Sequence, residues 1–181
     1  MKQGRHSVKE DLAVAFRTEL AGHAFYKHAA EAVTDERGKS VFSHLAKEEL
    51  EHIYVISAIG EAIKKGESWL SYKEALGKGS TEIKKKGLPI FPGDNEMIKK
   101  LKENQTDLNA VMLALGVEEK AVDFYGGMLK AAVTPDEKVC LTELFEMEKG
   151  HLKVLRWEYE SIVKTGFWGD FMEYNIEKEL E

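Results

Sequence analysis

Two glutamate and histidine pairs in the chain have the spacing of metal ligands. Glu49 precedes His52 by three positions, and Glu148 precedes His151 by the same interval. On an α-helix, residues three apart share a face, so a carboxylate and an imidazole at this spacing can reach the same ion. One such pair is common in proteins. Two pairs, with two further glutamates at matching positions, indicate a site for two metal ions.

The two halves of the chain repeat each other at an offset of 99 positions. The repeat includes both Glu-x-x-His pairs and adds one glutamate and one tyrosine to each half. The matches are Glu19 and Glu118, Tyr26 and Tyr125, Leu45 and Leu144, Glu49 and Glu148, and His52 and His151. The repeat therefore predicts two related helix pairs around one site.

Helical phase separates the candidate ligands from neighbouring acids. At about 100° per residue, Glu49 lies in the centre of an apolar stripe. By the same rule Glu48 and Glu51 rotate away by about 100° and 200°, toward solvent. The other three glutamates of the repeat also lie in the apolar stripes of their helices. Each of four long helices is thus predicted to bury one carboxylate. The alternative is that these acids are solvated residues on helix faces.

Four buried carboxylates need positive charge nearby. An unpaired carboxylate inside a protein costs several kcal/mol, and four together also repel one another. No lysine or arginine lies in the same stripes near these positions, which leaves metal ions to compensate. Mixed carboxylate and imidazole ligands suit iron or manganese, and zinc can substitute. The predicted ligands are Glu19, Glu49, His52, Glu118, Glu148 and His151.

Four other residues have two interpretations each. Tyr26 and Tyr125 follow their glutamates by two helical turns, either as donors that orient ligand carboxylates or as core aromatics. His23 also faces roughly inward, but Val122 is its counterpart in the repeat, which favours a core histidine outside the site. Cys140 lies in an apolar stretch and is predicted to be a small buried residue rather than a nucleophile.

Four long helices must position these residues. Capping patterns at Ser7 and Thr134 mark the starts of the first and the last. Short links between neighbouring helices make each pair antiparallel. The periodicity of apolar residues predicts helices over about 8–33, 35–65, 107–133 and 135–165.

A long crossover joins the two helix pairs over about 66–106. Glycine and proline interrupt its pattern, and we expect a short helix at about 71–76 and another that is capped by Asp94. The predicted fold is all-α and forms one domain: an antiparallel four-helix bundle over about 8–165 with a C-terminal extension, 166–181. The extension carries aromatic residues, is expected to form a short helix over 169–181, and either covers the bundle end or joins a dimer interface.

Composition excludes several classes of function. The formal net charge of −6 argues against nucleic acid or an anionic membrane as a partner, because both attract basic surfaces. No apolar run approaches the roughly 20 residues of a membrane helix, and no apolar signal region follows the N-terminus. We therefore expect a cytoplasmic protein. Its single cysteine excludes an internal disulfide and a four-cysteine metal site within these residues.

These motifs together resemble the rubrerythrin-like branch of the ferritin-like di-iron proteins. The resemblance covers about residues 8–165 and rests on the two Glu-x-x-His pairs and on two longer motifs. Those motifs are Glu19-x-x-Gly22-x-x-Phe25-Tyr26 and Glu118-x-x-Ala121-x-x-Phe124-Tyr125. The resemblance implies a ferritin-like bundle with two iron ions that cycle between ferrous and ferric states. Members of this branch reduce hydrogen peroxide, activate oxygen or oxidise ferrous iron.

The resemblance also implies a role for each ligand. Glu49 and Glu148 would bridge the two irons, Glu19 and Glu118 would be terminal ligands, and each histidine would bind one iron. By family alone, the chain is expected to form a homodimer. The leading hypothesis is a peroxide-reducing enzyme. An iron-storage protein with ferroxidase activity is the alternative, and a helical interaction protein with a structural metal is a third hypothesis.

Two features depart from well-studied rubrerythrins. The four cysteines of their rubredoxin-like domain are absent, so electrons are expected from a separate protein such as a rubredoxin. Ala121 stands where those proteins carry an extra glutamate, one turn after the third-helix ligand, and Gly22 occupies the related position in the first helix. Both departures predict a site with six protein ligands only.

Overall fold

The computed structural model describes residues 8–89 and 95–169. Within these ranges the chain forms six α-helices and no strand. None of these helices is both long and apolar enough to cross a membrane. Their bounds are Val8–Ala32 (α1), Glu36–Lys64 (α2), Tyr72–Lys86 (α3), Glu96–Glu103 (α4), Asp107–Ala131 (α5) and Pro135–Thr165 (α6).

The four long helices form a bundle of two helix pairs. α1 packs on α2 and α5 packs on α6, and short links over 33–35 and 132–134 join the helices of each pair. Links of this length reverse the chain direction, so the paired helices are antiparallel. Residues 65–106 cross from the first pair to the second. The predicted all-α, ferritin-like bundle with one long crossover is confirmed.

Local hydrogen bonds determine where the helices of the second pair begin and end. The Thr106 side chain accepts a backbone N–H bond at the start of α5. Thr134 and Glu137 form the predicted capping box of α6, in which each side chain accepts a backbone N–H bond from the other residue. Gly166 caps the end of α6, and its φ of 80° favours glycine because glycine has no Cβ. The capping pattern predicted at Ser7 lies outside the described residues.

The crossover contains a longer helix than predicted. The helix expected at 71–76 is α3, which continues to Lys86. A capping box between Ser71 and Glu74 opens α3, and the lysines of its last turn stabilise the negative end of the helix dipole. Glycines in this segment suggested a break in the helix. In the structure, Gly79 instead lies where α3 approaches the backbone of α2.

The second crossover helix is capped one residue later than predicted. Asn95, rather than Asp94, is the N-cap of α4, because its side-chain oxygen accepts bonds from two N–H groups of the first turn. Its side-chain amide also donates to the carbonyl of Ala21, 2.8 Å away. Asn95 therefore both starts α4 and ties it to α1. Asp94 itself lies outside the described residues.

Apolar side chains form two large clusters, and the predicted ligands lie between them along every long helix. In α2, for example, Leu45 belongs to the first cluster and Val55 to the second, with Glu49 and His52 between them. The first cluster includes Phe25, Phe42, Val111 and Leu155, and the second includes Leu12, Ile56, Tyr125 and Leu141. A layer of charged residues is thus enclosed by apolar layers on both sides.

The start of the C-terminal extension packs against the first apolar cluster. Trp168 is 3% exposed, and its ring meets that of Phe42 edge to face at a centroid distance of 5.6 Å. Its indole N–H donates to Asp107 Oδ2 over 2.7 Å. Trp168 thus covers this part of the bundle, which agrees with one of the two roles expected for the extension. The helix predicted over 169–181 lies, apart from Gly169, outside the described residues.

We expect Gly79→Ala to lower the free energy of unfolding by about 1–3 kcal/mol, as overpacking does. The added Cβ would lie 1.9 Å from the Tyr54 carbonyl oxygen on α2. Gly77→Ala is the matched control in the same helix, because nothing lies within 4 Å of its Cβ. It should instead stabilise the protein by about 0.5–1 kcal/mol. Denaturant unfolding followed by circular dichroism compares the two. A similar loss from both substitutions would contradict the close packing of α3 on α2.

Candidate metal centre

The six predicted ligands meet between the two apolar clusters. Glu19 comes from α1 and Glu118 from α5, while α2 and α6 each contribute one Glu-x-x-His pair. All six side chains are buried, and none is more than 3% exposed. The structure therefore brings together every residue that the sequence analysis placed at the site, and the solvated alternative does not describe them.

The imidazole of His52 faces three carboxylates from three helices. Its Nδ1 lies 2.9 Å from Oε1 of Glu148, 3.5 Å from Oε2 of Glu19 and 3.6 Å from Oε2 of Glu49. One ligand atom from each of these four residues can be chosen so that all lie within 4.8 Å of one another. Such a group could hold a single metal ion.

His151 is the centre of a second group with the same composition. Its Nδ1 lies 3.3 Å from Oε1 of Glu49 and 3.6 Å from both Oε2 of Glu118 and Oε2 of Glu148. Glu49 and Glu148 belong to both groups, so either carboxylate could bridge two ions. The rings of His52 and His151 stack with their centroids 5.5 Å apart. Both imidazoles therefore lie on the same side of the site.

The hydrogen bonding of the site fits metal ions. Several buried atoms here make no hydrogen bond: Nδ1 of His52 and of His151, Oε2 of Glu118, and both carboxylate oxygens of Glu148. Buried polar atoms are normally paired. Here the atoms are close but not aligned as donor and acceptor, so their lone pairs converge on shared space. Since no lysine or arginine of residues 8–89 and 95–169 pairs with these carboxylates, bound cations fit the donor set.

Protons partly neutralise the charged layer when no metal is bound. Burial raises the pKa of Glu118 to about 8. Burial also raises the pKa of Glu19 well above its ordinary value, and the negative charges of Glu49 and Glu148 add to this increase. Burial alone would lower the pKa of His52, but the Glu148 carboxylate raises it well above the ordinary value. Metal binding would therefore displace protons from this layer.

Two tyrosines tie the ligand helices together across the bundle. The hydroxyl of Tyr26 on α1 donates to Oε1 of Glu118 on α5, and the hydroxyl of Tyr125 on α5 donates to Oε1 of Glu19 on α1. Burial raises the pKa of both phenols, so both remain donors. Of the two interpretations, this geometry favours donors that orient carboxylates. Each tyrosine contacts the glutamate of the opposite half, a pairing that the repeat did not reveal.

The environment that helical phase predicted for Glu48 is wrong. Its phase predicted a solvent-facing side chain, but Glu48 is half-buried, and its Oε2 accepts a 2.8 Å hydrogen bond from Nε2 of His151. This hydrogen bond lowers the pKa of the Glu48 carboxyl. It leaves Nδ1 of His151 directed toward the ligands, as carboxylates commonly do for metal-binding histidines. Met147 stands at the equivalent position of the repeat, and Nε2 of His52 makes no hydrogen bond.

Two residues outside the site have the structural roles that were predicted for them. Nδ1 of His23 lies 2.6 Å from the carbonyl oxygen of Ala46, so this ring nitrogen donates to the backbone. Cys140 is wholly buried, and burial raises the pKa of its thiol to about 11. A thiol with this pKa is protonated and unreactive at neutral pH.

The fold and the site define a class of protein: a helical bundle whose core carries a candidate centre for two ions, built from carboxylates and histidines. The model of the rubrerythrin family matches residues 10–159. The chain belongs to the rubrerythrin family, which confirms the resemblance seen in its motifs.

A solved structure has the same fold. It is that of a hypothetical protein from Pyrococcus furiosus, which superposes with a TM-score of 0.64 at 24% sequence identity. The similarity covers 90% of this chain and 94% of the other chain. A search of curated proteins finds no match. The structural similarity supports the bundle and says nothing further about activity.

Replacing a ligand shared by both groups should remove both ions. Glu148→Gln keeps the volume of the side chain but removes its charge, and Glu148 belongs to both groups. We expect this variant to fold and to bind little or no iron after anaerobic loading, measured by elemental analysis per chain. Glu146→Gln is the control, because Glu146 is exposed on the same helix and pairs with Lys149. Retention of two ions by Glu148→Gln would show that the glutamate is not a shared ligand.

Glu48→Gln should weaken metal binding without removing a ligand. Loss of a carboxylate that supports a ligand histidine typically lowers metal affinity by about 10- to 100-fold. We expect this loss in competition titrations with a chelator, together with a preserved fold by circular dichroism. Glu51→Gln is the control on the same helix, since Glu51 makes no contact with either histidine among the described ion pairs. Equal affinities for the two variants would mean that Glu48 does not support His151.

Proposed function

We propose that this protein is a di-iron oxidoreductase that reduces hydrogen peroxide with electrons from a separate donor. The observation that carries the proposal is the pair of ligand groups that share Glu49 and Glu148. Two ferrous ions bound side by side would supply the two electrons that, together with two protons from solvent, convert one peroxide molecule into two of water. Membership of the rubrerythrin family supports iron as the metal.

In this proposal each ligand has a distinct role. Glu49 and Glu148 would hold both ions, Glu19 and Glu118 would each hold one as terminal ligands, and each histidine would hold one ion. Carboxylate and imidazole donors suit iron in both oxidation states, and manganese or zinc can occupy the same site. The two tyrosine hydroxyls hold the terminal carboxylates in place by hydrogen bonds. The apolar clusters on both sides limit access of water to the ions.

A surface groove approaches the ligand layer at Gly22. The groove has a volume of about 420 Å³ and lies among α1, α4 and α5. Gly22 belongs to its lining, and a Cβ added to Gly22 would lie 3.7 Å from Cδ of Glu49. At Gly22 the groove therefore lies next to a ligand carboxylate, with no side chain of residue 22 between them. We propose that peroxide or oxygen, which are small molecules, approach the ions from this groove.

The ligand set supports a centre simpler than that of well-studied rubrerythrins. Ala121 and Gly22 leave no additional carboxylate at the two positions one turn after the terminal ligands. The proposed centre therefore works with six protein ligands. We assign electron supply to another protein, for example a rubredoxin, in the cytoplasm.

Stopped-flow absorption of the ferrous-loaded protein tests the substrate. We expect hydrogen peroxide to produce the absorption of the diferric protein faster than oxygen does at the same concentration. Elemental analysis of protein purified without oxygen should find two irons per chain, one for each ligand group. If peroxide reacts no faster than oxygen, peroxide is not the substrate.

Size-exclusion chromatography separates the proposal from iron storage. The proposal includes a homodimer, whereas storage needs a closed shell of many subunits around a cavity. A large shell that retains many irons per chain would support storage and contradict the enzyme. A dimer that turns over peroxide with a reduced donor protein would support the enzyme.

A further inference from the structure

A row of aromatic side chains connects the C-terminal extension with a predicted metal ligand. The ring centroids of Trp168 and Phe42 are 5.6 Å apart. Phe42 stacks on Tyr26 with a centroid distance of 6.1 Å and an interplanar angle of 19°. The hydroxyl of Tyr26 donates to Glu118. All three rings are buried, with exposures of 0–3%. The row is therefore continuous from the end of α6 to the ligand layer.

Two contacts hold the indole of Trp168 in place. A Cβ added to Gly38 would lie 2.4 Å from Cε2 of Trp168, so the ring fits only because residue 38 is glycine. The indole N–H donates to Asp107 over 2.7 Å, and Asp107 is only partly buried. The N–H group of an indole becomes far more acidic when the ring loses an electron. Asp107 is placed to accept that proton and is partly open to solvent.

We propose that Trp168 donates single electrons to the metal centre through Phe42 and Tyr26, and that its indole proton passes to Asp107. This inference rests on the proposed function. Trp168 is an electron-relay residue here and does not touch the substrate. The relay is needed when the centre contains only one ferrous ion, because a peroxide molecule that receives a single electron releases a hydroxyl radical.

Peroxide reduction through this relay uses one electron from iron and one from Trp168. Hydrogen peroxide takes up two electrons and two protons and its O–O bond breaks to give two molecules of water. One electron comes from the ferrous ion, which becomes ferric, and the other comes from Trp168. Both protons come from solvent, while the proton of the indole moves to Asp107. The resulting neutral indolyl radical is restored by one electron from a small thiol in solution and by the return of the proton.

Electron paramagnetic resonance tests the relay in the whole protein. The protein is produced with ring-deuterated tryptophan, loaded anaerobically with one equivalent of ferrous iron per chain, mixed with peroxide and frozen. We expect an organic radical whose hyperfine splitting differs from that of unlabelled protein, because deuterium replaces ring hydrogens. An organic radical that is insensitive to deuteration, or no organic radical, would overturn the inference without use of any variant.

Matched tryptophan variants assign the radical. Trp168→Phe should lose the signal, and a spin trap should capture more hydroxyl radical than in wild type. Trp69→Phe should retain the signal, since Trp69 is also buried, at 7% exposure, but lies in the other apolar cluster. Gly38→Ala should weaken the signal by displacing the indole. Persistence of the tryptophan radical in Trp168→Phe would overturn the relay.

Iron oxidation in the same samples separates failure of the relay from failure of the proposed function. If peroxide oxidises the bound iron but no tryptophan radical depends on Trp168, the relay is wrong and the di-iron function stands. If peroxide does not oxidise bound iron at all, the proposed function is wrong and the relay is wrong with it. Absorption spectra recorded before freezing distinguish these outcomes.

Discussion

Burial of four carboxylates in an otherwise apolar bundle is the constraint on which the rest of this structure depends. Such a layer is unfavourable by itself, because each charge loses its hydration and repels the other three. Raised pKa values at Glu19 and Glu118 show how protons relieve part of this cost. Two divalent cations would balance the four charges fully, and the unpaired atoms of His52, His151 and Glu148 are directed where such ions would bind.

The rest of the bundle keeps this layer in one geometry. Each long helix passes from one apolar cluster through the ligand layer into the other. A rotation of any helix would expose apolar surface as well as displace a ligand. The hydrogen bonds from Tyr26 to Glu118 and from Tyr125 to Glu19 link α1 and α5 directly. Short links over 33–35 and 132–134 join the helices within each pair.

The internal repeat produces two similar but unequal halves. His151 has the Glu48 carboxylate behind it, whereas His52 has Met147 at the equivalent position. A carboxylate partner makes a ligand histidine more basic, so the two ions would differ in their surroundings. The aromatic row from Trp168 reaches Tyr26 and has no counterpart through Tyr125 among the described residues. The two halves are therefore alike in their ligands and different in the residues that surround them.

The sequence by itself determined the bundle, its helix bounds to within two residues, and the six residues that meet in its core. Periodicity identifies a buried glutamate because helical phase is a local property. It misplaced Glu48, because a long side chain reaches a histidine on another helix whatever its own phase. The predicted α3 was also too short. Gly79 suggested a break in the helix, but the close approach of the Tyr54 backbone requires a glycine there. Contacts between helices, such as those of Glu48, Tyr26 and Trp168, were decided by the tertiary structure alone, because they depend on the distance and rotation between elements far apart in the chain.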